Sequence, residues 1–333
     1  MISNRLIRVA SRPTGIPQVD HFYVDVVPIA PLEEGQIRVR NQWLSVEPAM
    51  RGWLTDASNY ASPVAVGDVM RALCAGTVVE SRADAYRPGD VVMGWFGWQE
   101  QATVPAESVV HKITRVDLAM SLYLGVLGLS GVTAAVALER IGRPKAGDTV
   151  VVSTAAGGVG SCVGQLAKLQ GCRTVGLTSS SEKANACREL FDFDHVINYR
   201  TDDIDAVLKR VCPDGVDVYF DNTAGAISDA VMPNLAVGAR VVVCGTASIA
   251  QWAPVPLGPR VERILLTRRA GMQGFLMFDH MDVYGHYVDK LAELVSAGRL
   301  RYQEDISDGL DSALDAIAGL YRSENTGKRL IRL

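Results

Sequence analysis

The sequence of 333 residues lacks the cysteine and histidine spacing of zinc-binding proteins and the N-terminal pattern of secreted proteins. No two cysteines form a C-x-x-C pair, and none has the Cys/His spacing that holds zinc. No basic segment followed by an apolar segment opens the chain, so a secretory signal is not supported. We therefore expect buried thiols and a reducing, cytoplasmic location. The cysteines are Cys74, Cys162, Cys172, Cys187, Cys212 and Cys244.

A strong charge of either sign is also absent. The net charge is −4 at pH 7, with acidic and basic residues interspersed, which argues against nucleic acid or an anionic membrane as a partner. Residues 118–138 carry no charge and are long enough to span a bilayer. Because Gly125, Gly128 and Gly131 interrupt this stretch, we predict two buried helices that meet at a turn, and no membrane span.

Internal repeats and low-complexity linkers are absent as well, and the length predicts about two domains. Short apolar runs separated by Pro, Gly and Asp predict a β-rich, barrel-like domain in residues 1–122. Alternating strands and helices then predict an α/β fold with a parallel, doubly wound sheet in residues 123–299. We expect residues 300–333 to rejoin the first domain. The later predicted strands are 195–198, 216–221, 240–244 and 275–278, and the predicted helices are 204–211, 228–235 and 283–296.

A glycine-rich turn stands between two apolar strands in residues 150–177, "VVVSTAAGGVGSCVGQLAKLQGCRTVGL". The spacing is A-x-G-x-x-G, with Ala155 where the more familiar pattern has its first glycine. The turn follows a strand, opens a helix and precedes a second strand, which predicts a dinucleotide-binding βαβ unit. Gly157 and Gly160 would let the backbone approach a pyrophosphate, which the amides at the helix start would bind.

The end of the second strand indicates which dinucleotide binds. An NAD site has an acidic residue about 20 positions after the glycines, whereas residues 177–183 read "LTSSSEK". Hydroxyls such as that of Ser179, followed by the Lys183 ammonium, favour a 2′-phosphate, and Tyr199 could add a phenol donor. A charge-assisted contact is worth roughly 1.5–3 kcal/mol, so Lys183 predicts about a tenfold to hundredfold preference for NADPH. The alternative is that Lys183 is a solvated residue of the next helix.

Seven segments together resemble the zinc-independent branch of the medium-chain dehydrogenase/reductases, which includes prostaglandin, alkenal and curcumin reductases. The resemblance covers nearly the whole chain. It implies a GroES-like β-barrel domain, a Rossmann domain that binds NADPH, and a homodimer. The segments are "WLSVEPAMR" (43–51), "GWFGWQE" (94–100), "AAGGVGSCVGQLAK" (155–168), "FDNTAG" (220–225), "CGTAS" (244–248), "GFLMFD" (274–279) and "ENTGK" (324–328).

The same resemblance implies which residues contact the cofactor. Residues 158–161 resemble the pyrophosphate turn, and Lys183 and Tyr199 resemble the 2′-phosphate contacts. Residues 222 and 244–248 would border the cofactor, while residues 275–277 and 325 would lie by the nicotinamide. The complete predicted set is Gly157, Gly158, Val159, Gly160, Ser161, Ser179, Lys183, Tyr199, Asn222, Cys244, Gly245, Thr246, Ser248, Phe275, Leu276, Met277 and Asn325.

Zinc is a question that the wider superfamily raises, because its alcohol dehydrogenases bind the metal through Cys, His and a further Cys or carboxylate. None of the five histidines here is close in sequence to a cysteine, and "ALCAGTVVES" (72–81) contains no histidine. We therefore expect no metal site and assign Cys74 to packing.

Without a metal, hydride transfer needs a small electrophilic substrate, and an α,β-unsaturated aldehyde or ketone is suitable. Charge would collect on the carbonyl oxygen, so a hydrogen-bond donor and a proton source are required. Related reductases often have a tyrosine after the fifth strand, but residues 249–252 read "IAQW". Tyr60, in the polar loop 55–63, is therefore the candidate donor. Water or the ribose 2′-hydroxyl of the cofactor could serve instead.

Other functions remain open from the sequence. A quinone reductase would share the fold and the cofactor and would need no tyrosine, and a non-catalytic NADPH-binding protein would keep the fold without turnover. Reduction of some other carbonyl compound is a further alternative. The aromatic residues of segment 94–98 are interpreted as core residues or, with Trp252, as the wall of an apolar substrate pocket.

Overall fold

The computed structural model describes residues 3–56, 59–249 and 254–333. It divides the chain into two units, one made of Met1–Gly125 with Glu304–Leu333 and the other of Val126–Gln303. The predicted domain boundaries lie a few residues earlier, after residues 122 and 299.

Strands dominate the first unit, whereas strands and helices alternate in the second. Within the described ranges the strands are β1 (Ser3–Val9), β2 (Phe22–Pro28), β3 (Gln36–Ser45), β4 (Leu73–Ser81), β5 (Val91–Trp95), β6 (Gln101–Pro105), β7 (Val109–Lys112), β8 (Thr149–Ser153), β9 (Arg173–Thr178), β10 (His195–Asn198), β11 (Val216–Asp221), β12 (Leu235–Val243), β13 (Gly271–Gly274), β14 (Glu304–Asp308) and β15 (Lys328–Arg332). The α-helices are α1 (Ala49–Trp53), α2 (Leu129–Ala137), α3 (Gly158–Leu169), α4 (Ser181–Asn185), α5 (Ile204–Val211), α6 (Gly225–Val231), α7 (Glu262–Arg268), α8 (Tyr284–Ser296) and α9 (Ala313–Tyr321).

The first unit is built on a mostly antiparallel sheet with the strand order β14-β15-β3-β4-β5-β7, in which β6 also pairs with β3. Strands β1 and β2 form a separate antiparallel pair. The tail joins this unit through β15, which pairs antiparallel with β3 so that Leu330 lies opposite Ser45. Among the described strand pairs of this sheet, only β14 and β15 run parallel to each other. The fold is therefore completed by residues that are far apart in the sequence.

Aromatic side chains fill the core of the first unit. Phe96 and Trp98 are buried, and the Trp98 ring packs against Phe22 at 5.6 Å between centroids. Trp95 packs edge-on against the buried Trp53 at 5.8 Å. The interpretation of Phe96 and Trp98 as core residues is thus confirmed, and their interpretation as pocket walls is wrong. The predicted pocket residue Trp252 lies outside the described residues.

The second unit contains a parallel sheet with the strand order β10-β9-β8-β11-β12-β13. Strand β8 lies at its centre, and residues 149–153 are all buried, as expected of a β-branched run covered on both faces. The chain order reverses between β8 and β11, which creates the switch point of a doubly wound sheet. The predicted α/β fold class is confirmed.

Two predicted elements of this unit are placed wrongly. The predicted helix 228–235 is α6, which runs from Gly225 to Val231, and Leu235 already belongs to β12. Pro233 cannot continue an α-helix and instead lies in a short 3₁₀ turn. The sixth strand is Gly271–Gly274 rather than 275–278, and it is held by backbone pairing with β12.

The uncharged stretch 118–138 forms a 3₁₀ turn at Met120–Leu124 and the helix α2. Nearly all of the residues of both segments are buried. Among the helices of the described residues, none combines the length and the apolar character needed to cross a membrane.

Candidate active site

The turn between β8 and α3 presents backbone amides at the carboxyl edge of the parallel sheet. Gly157 is the N-cap residue of α3, and Ser161 N donates to Gly157 O at 3.0 Å. The amides of residues 158–160 therefore have no acceptor within the helix, and they lie at its positive N-terminus. This donor set fits an anion such as a pyrophosphate.

Small residues in this turn are required by close contacts within the protein. A Cβ on Gly160 would lie 2.2 Å from the carbonyl oxygen of Thr154, which has a positive φ of 54°. Ala155 takes the place of the usual first glycine because the strand beside it contains Gly176. A Cβ on Gly176 would lie only 2.7 Å from the Cβ of Ala155. The space between residues 155 and 176 therefore holds one Cβ atom and not two.

The three predicted 2′-phosphate residues follow the ends of β9 and β10. The Tyr199 amide donates to Thr178 O at 3.0 Å, which holds Tyr199 beside the end of β9. Ser180 Oγ caps α4 by accepting from the Lys183 amide at 3.2 Å, so Lys183 lies in the first turn of that helix. Ser179 is buried, whereas Lys183 and Tyr199 are partly buried.

The ends of β8, β11 and β12 are tied together by side chains of the predicted set. Asn222 donates from Nδ2 to Ser153 O at 2.7 Å and from its amide to Ser153 Oγ at 2.8 Å. Ser248 Oγ donates to the carbonyls of Thr223 at 2.8 Å and Ala224 at 2.9 Å. A Cβ on Gly245 would lie 2.8 Å from Asn222 O. These contacts fix the loops that follow β11 and β12.

Asp221, the last residue of β11, accepts most of the hydrogen bonds that join these loops. The sequence analysis did not single out this residue. Its residue is 1% exposed, and its carboxylate accepts hydrogen bonds at Oδ1 and Oδ2. The signal was an aspartate that ends the apolar run "VYF", although its partners come from three different segments. The donors are Ser153 Oγ (3.3 Å), Tyr219 Oη (3.0 Å), Thr223 N (2.9 Å), Thr223 Oγ1 (3.2 Å) and Ala224 N (2.9 Å) to Oδ1, and Ser228 Oγ (2.8 Å) to Oδ2.

The backbone next to Asp221 is strained. Ala224 has φ 56° and ψ −161°, a region that L residues rarely adopt. Its amide is held by Asp221, and its carbonyl is held by Ser248. The surrounding hydrogen bonds therefore enforce a conformation that the chain would not adopt alone.

The segment after β13 turns its side chains into the protein. Phe275 and Met277 are 9% and 3% exposed, and the Phe275 ring stacks on His280 at 5.1 Å. His280 Nδ1 lies 2.6 Å from a guanidinium nitrogen of Arg140. The Phe275 amide donates to Val243 O at 3.0 Å, and Leu276 between the two buried residues is partly buried.

The candidate donor Tyr60 lies in a loop of the first unit and is 51% exposed. Two arginines hold this loop: Arg12 pairs with Asp56 at 3.0 Å, and Arg71 donates to Ser62 O at 3.0 Å. Burial, with a smaller contribution from Tyr60, raises the pKa of Tyr321 to about 12.

Asn325, the other predicted contact in the first unit, donates to Gly327 O at 2.8 Å and is partly buried. Beside it, Lys328 is buried and donates from Nζ to Val46 O at 2.9 Å. Its ammonium also lies 3.4 Å from the carboxylate of Glu47. Burial lowers the pKa of Lys328 below its ordinary value. The predicted contact Asn325 is therefore anchored next to a buried ion pair.

The cysteines are free thiols, and five of the six are buried; Cys244, at the end of β12, is partly exposed, which corrects the expectation that all are buried. Cys74 Sγ lies 3.1 Å from Gly97 O, and burial raises the pKa of its thiol. Among the residues that the structure describes, no three His, Cys, Asp or Glu side chains form a group that could hold a metal ion.

Two protein families match the chain. The family described as the N-terminal domain of oxidoreductase matches residues 5–112, and the family described as zinc-binding dehydrogenase matches residues 158–293. Together the two matches cover most of the chain.

Characterised relatives are similar over nearly the full length. The NADPH-dependent curcumin reductase of Escherichia coli is 37% identical, and the match covers 99% of this chain and 97% of that protein. The NADP⁺-dependent 2-alkenal reductase of Nicotiana tabacum is 35% identical, and the match covers 99% of this chain and 97% of that protein.

A solved structure is similar as well. The crystal structure of CurA in complex with NADPH from Vibrio vulnificus has a TM-score of 0.92 and 36% identity, and the match covers 98% of both chains. The family matches, these relatives and the doubly wound sheet lead to one assignment. The chain belongs to the medium-chain dehydrogenase/reductase family of oxidoreductases.

Proposed function

We propose that the protein uses NADPH to reduce the carbon–carbon double bond of α,β-unsaturated aldehydes and ketones. The observation that carries the proposal is the carboxyl edge of the parallel sheet. There the amides of residues 158–160 have no acceptor within α3, Lys183 lies in the helix that follows β9, and Tyr199 directly follows β10. The similarity to a curcumin reductase, a 2-alkenal reductase and an NADPH complex supports the same cofactor and reaction.

The residues present fit a phosphorylated dinucleotide. We assign the pyrophosphate to residues 157–161 and the 2′-phosphate to Ser179, Lys183 and Tyr199. The nicotinamide half would lie over the ends of β11, β12 and β13, because a dinucleotide crosses a doubly wound sheet at its switch point. The residues assigned to that half are Asn222, Cys244, Gly245, Thr246, Ser248, Phe275, Leu276, Met277 and Asn325.

When bound, NADPH supplies a hydride to the β-carbon of the substrate. Negative charge then collects on the carbonyl oxygen, and the α-carbon takes a proton. We assign the donor role to Tyr60 Oη, because this phenol is half exposed and its loop is held by Arg12 and Arg71. A positioned general acid contributes roughly 10²–10⁴-fold.

Substitution of the donor tests this role. We expect Tyr60→Phe to lower kcat on an enone about a hundredfold, with little change in NADPH affinity. Tyr321→Phe is the matched control, since the Tyr321 hydroxyl donates to Pro48 O and is committed to the fold. Full turnover by Tyr60→Phe would assign the donor role to water or to the ribose hydroxyl.

The reaction itself is tested by product identification. The protein is incubated with NADPH and an enone and, separately, with NADPH and a simple quinone. A saturated ketone supports the proposal. Hydroquinone alone would favour a quinone reductase, and NADPH binding without oxidation across an electrophile panel would favour a non-catalytic protein.

We also infer that two copies of the chain associate along β13. This strand is the last in the sheet order, and all four of its residues are exposed. An unpaired strand edge is a template for pairing with another chain. Leu257 and Leu266 of the adjoining sequence are 98% and 77% exposed, which adds apolar surface. Sedimentation should give a dimer, and Met272→Pro should give a monomer; a monomeric parent protein would contradict the inference.

A cytoplasmic location is part of the same proposal. It is supported by six free thiols, which persist in a reducing compartment. Fractionation of cells that express the tagged protein tests it, and recovery outside the cytoplasm would contradict it.

A further inference from the structure

Asp221 is a buried charge without a countercharge. Its carboxylate accepts six hydrogen bonds, and within the described ranges no salt bridge involves it. Ionised carboxylates in a protein interior are usually paired with a cation or a metal. A negative charge that is held here by hydrogen bonds alone calls for a functional explanation.

The negative charge of Asp221 raises the pKa values of neighbouring side chains. Desolvation of the sulfur and then the Asp221 charge raise the pKa of the Cys244 thiol to about 12. The same two causes raise the pKa of Tyr219 well above its ordinary value, and that of Asp229 above its own. A fixed negative charge at this position therefore disfavours other negative charge at the ends of β11 and β12. By the same physics it favours a positive charge there.

The nicotinamide becomes positively charged when it donates its hydride. Since Lys183 and Tyr199 mark the adenosine half over β9 and β10, the nicotinamide half falls on the other side of the switch point, over β11 and β12. Asp221 is the last residue of β11. The positive charge that forms on the nicotinamide and the negative charge of Asp221 thus belong to the same edge of the sheet.

We propose that the Asp221 carboxylate stabilises the oxidised, cationic nicotinamide relative to the neutral, reduced form, and so favours hydride donation. The nicotinamide ring loses a hydride and gains one positive charge, and the β-carbon of the substrate accepts the hydride with its electron pair. Asp221 takes no proton and forms no bond. It is a positioning residue that acts through its field, and this role rests on the proposed function.

The experiment compares the dissociation constants of NADP⁺ and NADPH in the wild type and in Asp221→Asn. We expect the ratio of the NADP⁺ constant to the NADPH constant to rise about tenfold, the scale of two unit charges on the order of 10 Å apart in protein. For a two-electron couple this equals a rise of about 30 mV in the midpoint potential of the bound cofactor. No turnover is needed for this measurement.

The asparagine variant suits the site. Oδ1 accepts five of the six hydrogen bonds, and an amide oxygen can take its place. Among the described residues, Oδ2 accepts only from the Ser228 hydroxyl, which can rotate to accept from the amide nitrogen. Asp221→Ser is a second neutral variant, so that poor folding of one variant does not remove the test.

Ser228→Ala and Tyr219→Phe are the matched controls, because each removes one hydrogen bond and keeps the charge. We expect them to leave the ratio unchanged, even where the affinities for both forms fall together. Neutral variants that weaken NADP⁺ and NADPH equally would overturn the proposal and leave Asp221 a purely structural role. A wild-type protein that binds neither form would instead overturn the proposed function.

Discussion

The two edges of the parallel sheet differ in how their charges are used. At the amino edge, charged side chains neutralise one another: Arg240 lies 2.6 Å from Asp148, and Lys168 lies 2.6 Å from Asp194. Asp217, near the start of β11, accepts from the Thr149 amide at 2.8 Å. This edge leaves little unsatisfied charge for a ligand.

At the carboxyl edge, hydrogen bonds hold the loops, and charge is left over. Asp221 collects six donors without a salt bridge in the described residues, and the amides of residues 158–160 have no acceptor within their helix. We therefore expect the ion pairs of the amino edge to support the stability of the sheet and the donors of the carboxyl edge to bind the ligand. Substitutions at the amino edge should lower stability and leave NADPH affinity unchanged, whereas substitutions at the carboxyl edge should lower NADPH affinity.

We expect the largest loss of NADPH affinity from a substitution in the turn between β8 and α3. Gly160→Ala places a Cβ 2.2 Å from the backbone oxygen of Thr154, so the turn must move. We expect NADPH affinity to fall at least about a hundredfold, or about 2.8 kcal/mol, and the free energy of unfolding to fall by about 1–3 kcal/mol. Fluorescence titration and urea unfolding measure the two quantities.

Gly285→Ala is the matched control, because a Cβ there meets no atom within 4 Å. It lies in α8, where alanine is a better helix former by up to about 1 kcal/mol. Affinity should not change. Normal NADPH binding by Gly160→Ala would mean that the turn is not the pyrophosphate site.

The next effect concerns the adenosine side of the same edge. Lys183→Ala should weaken NADPH about tenfold to a hundredfold and leave NADH nearly unchanged, because only NADPH carries the 2′-phosphate. Lys209→Ala is the control, since Lys209 is exposed and pairs with Asp205 one helical turn away. An equal loss for both dinucleotides would contradict the assignment of Lys183.

Sequence reasoning succeeded where local signals and fold agree. The predicted helix 204–211 matches the observed bounds of α5, and its start is fixed locally, because the Asp203 side chain accepts from the Ala206 amide at 3.1 Å. Strands β10 and β11 were likewise placed at their observed bounds from apolar runs. The turn 155–160 was recognisable because its glycines are needed for contacts within a few residues of the turn itself.

It failed where distant segments decide the structure. Strand β13 reads "GMQG", which has no β-branched residue, and it exists because β12 pairs with its backbone. Asp221 was visible as an acid at a strand end, but its partners Ser153 and Ser228 are brought there only by the fold. A single sequence gives the residue types of such a network and not its connections.

The amino edge should behave in the opposite way to the carboxyl edge. Arg240→Met removes a partly buried ion pair with Asp148 and a hydrogen bond to Gly142 O at 2.8 Å. We expect the free energy of unfolding to fall by about 1–3 kcal/mol, with NADPH affinity unchanged. Lys290→Met, which breaks a more exposed pair with Glu139, should cost less than about 1 kcal/mol. A loss of NADPH affinity in Arg240→Met would break the proposed division between the edges.

The smallest effect is a pH dependence at the same amino edge. Burial and then the Arg173 guanidinium, 2.9 Å away, hold the pKa of His195 below its ordinary value of 6.5. Between the two pKa values the unfolded chain binds a proton that the folded chain does not. The free energy of unfolding therefore falls as the pH drops below 6.5, and it recovers as the pH rises. Urea unfolding at about pH 7.5 and about pH 5.5 should show a smaller loss in His195→Asn than in the wild type, by less than the effect of Arg240→Met. If the two proteins lose equal stability on acidification, other groups cause the loss, and the amino edge then contributes to stability through its ion pairs alone.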